Sequence, residues 1–325
     1  MCSCFVGSQS KDSFLQMRPY DHVTPGKHST ELFVDASIRF FENRESDDPF
    51  FMYLSLMAPH DPRTMPEKFL KMYDPEKIDL PENFSEEHAI DTGALQIRDE
   101  LLAEHPRNPD EIKRHIAEYY GMISHLDDEI GRLIKVLDSV GELENTIVVF
   151  AGDNGLAVGQ HGLMGKQNLY EHSVRVPLIF SGPGIPRGER RNSLAYLLDI
   201  FPTVCELSGI DIPESVEGKS LLQCIKDSDT QVRDYMYLAY AESIRGSSDG
   251  KHKLIEYACG ETQLFDLVSD PLERNSLTRL DSCKADISRM RKKLVEMAQD
   301  WDDEQHPKGK EFWEQRDDLK TVALS

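Results

Sequence analysis

Hydrophobic positions along the chain change period several times, and each change predicts an element. From His28, Leu32, Phe33, Ala36, Ile38, Phe40 and Phe41 recur at roughly helical spacing, with Ser29 or Thr30 as the expected cap. Asp47-Asp48-Pro49 breaks that pattern. Phe50 to Leu56 is then nearly continuous apolar sequence, which predicts a central strand of a parallel sheet. His115 to Val140 predicts the clearest helix, with an apolar stripe through Ile116, Tyr119, Ile123, Leu126, Ile130, Leu133 and Leu137, ended by Gly141. Asp127, Asp128 and Glu129 on this helix read as a solvated face, with Asp127 partly buried. The β-branched and aromatic run Ile147 to Ala151 predicts a second strand, and helix plus strand make one α/β unit. Val176 to Phe180 predicts a third strand, and Leu194 to Ser208 a helix interrupted by Pro202.

The texture shifts at about Glu214. Tyr235–Tyr240, Glu242–Arg245, Lys253–Tyr257 and Thr262–Leu267 are short strand-like runs separated by turns, and they predict a small antiparallel sheet. Asp286 to Trp301 predicts a helix, and the tail to Ser325 reads as polar. The fold class expected is α/β: a partial, mostly parallel sheet flanked by helices, with a C-terminal antiparallel α+β region. The expected domains are a poorly ordered remnant over 1–27, an incomplete α/β core over 28–213, and a C-terminal subdomain over 214–325.

Charge and cysteine narrow the classes of function. A net charge of -21 argues against nucleic-acid binding. An acidic protein that handles an anion needs a local positive site, for which His60, His161 and Lys166 are the candidates. The six cysteines show no Cys-x-x-Cys spacing, so neither a zinc site nor a dense disulfide framework is expected. No stretch has the length and apolarity of a bilayer span, and Met1 to Lys11 lacks the pattern of a signal peptide.

Candidate chemistry sits at two expected strand ends, where open α/β sheets bind ligands. Gly152-Asp153-Asn154-Gly155 is turn-forming sequence, and Asp153 and Asn154 offer hard oxygen donors suited to Ca²⁺ or Mg²⁺. His161 and Lys166 come soon after. A cation on one side and an ammonium on the other is an arrangement that holds an oxyanion. At the other strand end, two prolines enclose His60 in a stiff loop. From residue types alone, Asp-Asn-Gly reads first as a plain strand-end turn, with His161 and Lys166 solvated.

Gly152-Asp153-Asn154-Gly155, Gly159-Gln160-His161-Gly162-Leu163-Met164-Gly165-Lys166, Tyr170-Glu171 and Val174-Arg175-Val176-Pro177-Leu178-Ile179, in that order, resemble the type I sulfatases of the alkaline-phosphatase-like superfamily. Pro59-His60-Asp61-Pro62, Leu198-Asp199-Ile200-Phe201-Pro202-Thr203, Gly218-Lys219-Ser220 and Gln263-Leu264-Phe265-Asp266-Leu267 extend the resemblance over the chain from about His28 onward. It implies hydrolysis of sulfate esters or sulfamates, one divalent cation held by Asp153 and Asn154 (Ca²⁺, with Mg²⁺ as the alternative), and sulfate contacts from His60 and Lys166. It makes Asp199 a structural residue and a sulfated small molecule or glycan the partner; His161 is a further substrate-contact candidate by its place between the Asp-Asn pair and Lys166. The family is often exported, to the periplasm, the cell exterior or the lysosome.

The sequence departs from the family at one decisive place. The family nucleophile is formylglycine, made from a Cys or Ser in Cys/Ser-x-Pro-x-Arg, and that motif is absent here; Ser181-Gly182-Pro183-Gly184-Ile185 has the proline without the arginine. The paired N-terminal Asp ligands are absent as well. The expectation is therefore a truncated sulfatase, inactive or weak alone, whose partner is the missing N-terminal half. Two other readings stay open: a phosphatase or phosphodiesterase of the same superfamily, and a non-catalytic binding or partner-completed chain.

Overall fold

The computed structural model describes residues 27–323. The expected N-terminal remnant, Lys27 apart, lies outside the described residues, as do Cys2 and Cys4. The helices are α1 (Ser29–Glu42), α2 (Glu67–Leu70), α3 (Pro109–Ser139), α4 (Glu171–Val174), α5 (Ile200–Leu207), α6 (Leu222–Lys226), α7 (Lys284–Asp300), α8 (Pro307–Gln315) and α9 (Asp317–Ala323). The strands are β1 (Val148–Ala151), β2 (Leu178–Ser181), β3 (Met236–Tyr240), β4 (Ile244–Ser248), β5 (His252–Tyr257) and β6 (Thr262–Asp266). The chain divides into two compact units: one takes it to Asp79 and adds Lys113–Thr146, the other takes Leu80–Ile112 and everything from Ile147.

The first unit is built on α1 and most of α3. Helix α1 is capped by His28, whose Nδ1 accepts from the Thr30 N–H at 3.2 Å, and not by the hydroxyl residues beside it. Its Val34 and Phe41 face inward, as the helical spacing requires. Helix α3 starts earlier than its stripe predicts, because the Asn108 side chain accepts from the Asp110 and Glu111 N–H groups and Pro109 occupies the first turn. It closes with the Glu142 N–H on the Leu137 carbonyl, the Gly141 N–H on the Asp138 carbonyl, and Gly141 at φ +79°. Gly121 lies where α3 meets the Met65–Phe69 segment, and a Cβ there would strike the Met65 sulfur.

The α/β reading holds, with a correction to the sheet. Phe50–Leu56 has no sheet partner among the described residues, and Phe51 and Tyr53 are 80% and 82% exposed. An apolar run favours extended backbone locally, but a ladder needs a neighbour to supply its hydrogen bonds. β1 and β2, expected in a mostly parallel sheet, pair antiparallel, with Val148 opposite Ser181 and Ala151 opposite Leu178.

In the second unit, β3 to β6 form an antiparallel meander in sequence order, as the short strand-like runs predict. One face of this sheet joins Tyr170, Leu169, Leu163 and Ala157 in a core with Ile244, Ile255, Tyr257 and Phe265. The other packs on α7 through Leu254, Leu264 and Met290. The polar reading of the tail is overturned: α8 and α9 bury Phe312, Trp313 and Leu319 against Tyr237 and Leu294. Those apolar residues are too sparse in the sequence to show a stripe, while Pro307 at the first turn of α8 marks its start. Pro202 does not interrupt α5 either, because it sits in the first turn, where its missing N–H costs no intrahelical bond.

Candidate active-site segments

The second unit carries the strand-end segment. Asp153 and Asn154 follow β1 directly and are exposed. The Asn154 N–H donates to Asp153 Oδ1, and Asn154 Nδ2 donates to the Gly155 carbonyl, each at 2.9 Å. Asn154 thus commits its amide nitrogen to the backbone and keeps its oxygen as the acceptor. Among the described residues, neither Asp153 Oδ2 nor Asn154 Oδ1 takes part in a hydrogen bond. The glycines here serve closeness more than positive φ. The Gly155 N–H donates to the Ser173 carbonyl at 2.9 Å, and a Cβ at Gly155 would overlap the His172 carbonyl. The pair is thereby held against α4.

Lys166 stands in a loop built on a buried ion pair. Glu100 accepts from the Met164 and Gly165 N–H groups, each at 2.9 Å, and pairs with Arg107. Arg107 in turn donates to the Gly162 carbonyl at 2.9 Å and to the Glu100 and Ala103 carbonyls. Burial pushes the Glu100 carboxyl up from its ordinary value, while these donors pull it back. Lys166 Nζ lies 4.0 Å from Asp99 Oδ2, and Gln167 bridges the same carboxylate and the Lys166 N–H. Glu100 and Arg107 lie in the charged run Asp91 to Asp110, which by composition reads as surface. Their role became visible only once the fold buried them.

His161 does not offer a positive charge. Its ring stacks on Tyr170 with centroids 4.0 Å apart and planes 11° from parallel, and Asn83 Nδ2 donates to its Nε2 at 3.2 Å. Burial, then the nearby His88, lowers its pKa to about 4, so the imidazole is neutral at physiological pH. His161 has φ +53° and marks the turn of this loop. A neutral ring meets a sulfate oxygen only as a hydrogen-bond donor, not as a charge.

The first unit carries His60. Its N–H donates to the Met57 carbonyl at 2.9 Å, and Nδ1 lies 2.9 Å from the Asp61 carbonyl and 3.2 Å from Asp61 Oδ1. The Asp61 contacts favour Nδ1 as the protonated nitrogen, and the side chain stays 44% exposed. In the same unit the acidic run on α3 departs from expectation. Asp127 is exposed and Glu129 is the buried member, beside His125 and Glu31. The period of the helix hides this, because burial depends on what lies across from each face.

Asp199 has the structural role expected of it. It is fully buried, pairs with Arg233, and accepts from the Tyr196 and Lys219 N–H groups. Gly218 allows this packing, since a Cβ there would meet the Leu198 carbonyl.

A family model described as Sulfatase matches residues 3–210, and one described as N-sulphoglucosamine sulphohydrolase, C-terminal, matches residues 159–300. An arylsulfatase of Clostridium perfringens is 34% identical over 277 residues, covering 82% of this chain and 57% of that protein. An N-acetylglucosamine-6-O-sulfatase of Bacteroides thetaiotaomicron is 24% identical over 350 residues, covering 86% of this chain and 62% of that protein. The chain spans about half the length of the curated relatives it matches. Among solved structures, BT4656 in complex with its substrate D-glucosamine-2-N,6-O-disulfate aligns with a TM-score of 0.75 at 21% identity, over 87% of this chain and 71% of that one. A phosphonate monoester hydrolase of Agrobacterium radiobacter aligns with a TM-score of 0.70 at 21% identity, over 89% of this chain and 68% of that one. These two likenesses establish the shared fold.

Proposed function

The chain belongs to the sulfatase family, and from that premise we propose that it serves metal-assisted hydrolysis of sulfate esters or sulfamates. The observation that carries the reading is the exposed Asp153-Asn154 pair at the end of β1, with a carboxylate and an amide oxygen outside the hydrogen bonds that hold the loop. Hard oxygen donors of this kind suit Ca²⁺ or Mg²⁺. Two side-chain oxygens are a minority of the about six to eight that calcium takes, so they form one part of a coordination shell. When bound, such a cation polarises a sulfate oxygen and stabilises charge that develops in the transition state.

The residues of this chain have separable tasks in that reading. Asp153 and Asn154 hold the cation. Lys166, whose backbone the Glu100–Arg107 pair positions, neutralises a sulfate oxygen with its ammonium group. His60, in the other unit, is assigned a sulfate contact on the strength of its Pro59-His60-Asp61-Pro62 element alone. No Cys/Ser-x-Pro-x-Arg occurs in this sequence, so formylglycine has no matching residue and no nucleophilic step is assigned to this chain. The substrate class is a sulfated small molecule or glycan, supported by the N-acetylglucosamine-6-O-sulfatase among the relatives and by the N-sulphoglucosamine family model.

The test has two readouts. Calcium titrated into the chain by calorimetry binds the wild type and is lost in Asp153→Ala. Any hydrolysis of a chromogenic aryl sulfate by this chain, expected to be weak without the formylglycine motif, requires Ca²⁺ or Mg²⁺ and falls by about 10²-fold or more in Lys166→Ala, the scale for removing one oxyanion donor. Calcium binding that survives Asp153→Ala overturns the metal assignment. Preferential hydrolysis of an aryl phosphate with zinc turns the reading toward a phosphatase.

A further inference from the structure

A second constellation of ligand-type side chains lies in the first unit, apart from the segments above. His125 and Glu129 are one turn apart on α3 and so share a face. Glu31 comes from the first turn of α1. Their ligand atoms all lie within 4.8 Å of one another. His125 is only 1% exposed, and its Nε2 is buried with no hydrogen-bond partner.

That orphaned nitrogen points at a ligand. A buried imidazole nitrogen with nothing to bond is costly, and native proteins rarely leave one so. Glu31 Oε1 is 3.6 Å away, too far for a hydrogen bond. The same separation is close to the edge of a tetrahedron with metal–ligand bonds of about 2.0–2.1 Å, which is roughly 3.4 Å. The ring itself packs against Phe69 at 5.0 Å and His28 at 4.9 Å between centroids. His28 is engaged elsewhere, with Nδ1 on the Thr30 N–H and Nε2 on the Thr64 hydroxyl. Arg132 takes one oxygen of Glu129 and also pairs with Asp35 at 2.7 Å. It therefore orients Glu129 from outside and leaves the other carboxylate oxygen for a ligand.

We propose that Glu31, His125 and Glu129 form a binding site for a tetrahedral divalent transition-metal ion of the zinc type, which ties the start of α1 to the middle of α3. Two carboxylates and a neutral imidazole balance a doubly charged ion. One nitrogen donor with few ligands, two of them buried, favours zinc over calcium, which takes more ligands and prefers oxygen. The site shares no residue with the Asp153-Asn154 pair, so the two assignments stand or fall separately.

The experiment uses the whole chain, stripped with a chelator and titrated with Co²⁺ alone as the spectroscopic stand-in for zinc. The wild type is expected to bind about one equivalent with the visible absorption of tetrahedral cobalt, and Zn²⁺, but not Ca²⁺, displaces it. Glu31→Gln lies at a partly exposed first-turn position and leaves helicity by circular dichroism intact, yet removes the bands. Glu129→Gln does the same, and Asp153→Ala leaves them unchanged. Absence of tetrahedral bands in the wild type overturns the proposal and returns His125 and Glu31 to a loose ion pair. So do bands that persist in Glu31→Gln or vanish in Asp153→Ala.

Discussion

The C-terminal sheet and the end of β1 belong to the same unit and treat charge in opposite ways. In the sheet, Lys253 is fully buried between Glu171 at 2.6 Å and Glu273 at 2.9 Å, and it also donates to the Leu169 carbonyl. Glu256, equally buried, receives Arg291 and Arg316. Arg245 reaches Asp303, which also accepts from Tyr237 and Trp313. Every one of these groups has its partner inside the fold. At the end of β1, by contrast, Asp153 and Asn154 face outward with oxygens that no neighbour claims among the described residues. A region that satisfies its own polar groups is scaffold. A region that keeps hard donors outward on a backbone held by close contacts is where a ligand can be added.

The contrast predicts a graded set of outcomes. Lys253→Met removes the buried cation from between two carboxylates and should cost about 3–5 kcal/mol, the scale for breaking a buried pair on one side, read as a lower urea midpoint. Stability unchanged within error would show that the sheet does not depend on its internal charges.

Acid comes next. His161, His172 and His88 all have pKa values lowered by burial, His161 to about 4. A lowered folded value means that the unfolded chain takes the proton first. The stability these rings contribute is therefore complete above their ordinary 6.5 and is lost as pH falls, through about pH 4 for His161. For His161 alone this amounts to about 3 kcal/mol. Glu273 and Glu100, raised by burial, act in the opposite sense: their contribution is full below the ordinary 4.5 and fades as pH rises through their folded values. Melting temperatures between pH 7 and 4.5 check this. His161→Asn, which tolerates the left-handed backbone, should flatten the curve.

Gly155→Ala should cost about 1–3 kcal/mol, because the added methyl group meets the His172 backbone carbonyl and cannot be relieved by a side-chain rotation. Thermal unfolding measures it. Asp153→Ala should be the mildest, within about 0.5 kcal/mol, because the carboxylate is exposed. The same variant should abolish calcium binding. A large loss of stability from Asp153→Ala would place it with the scaffold and erase the contrast.

Much of this was legible residue by residue. The stripe of α3 and the Gly141 stop, the strand runs of the C-terminal meander, and the Asp153-Asn154 pair at a strand end all follow from local periods and turn chemistry. What escaped depends on neighbours distant in sequence. Glu100 and Arg107 read as surface charges until the Lys166 loop closes over them. Phe312, Trp313 and Leu319 look isolated in a polar tail until Tyr237 and Leu294 cover them. His161 reads as a basic group until Tyr170 stacks on it.

The sequence by itself determined the α/β class, the ordered motifs that place the chain in the sulfatase family, and the donor types at the end of β1. Those properties are local: a period of 3.6 or 2, a turn-forming tetrapeptide, a carboxylate beside an amide. Only the tertiary structure decided the antiparallel pairing of β1 with β2, the neutral state of His161, and the meeting of Glu31 with His125 and Glu129. Strand pairing, desolvation and ligand geometry are relations between segments far apart in the chain, and no local pattern encodes a distance.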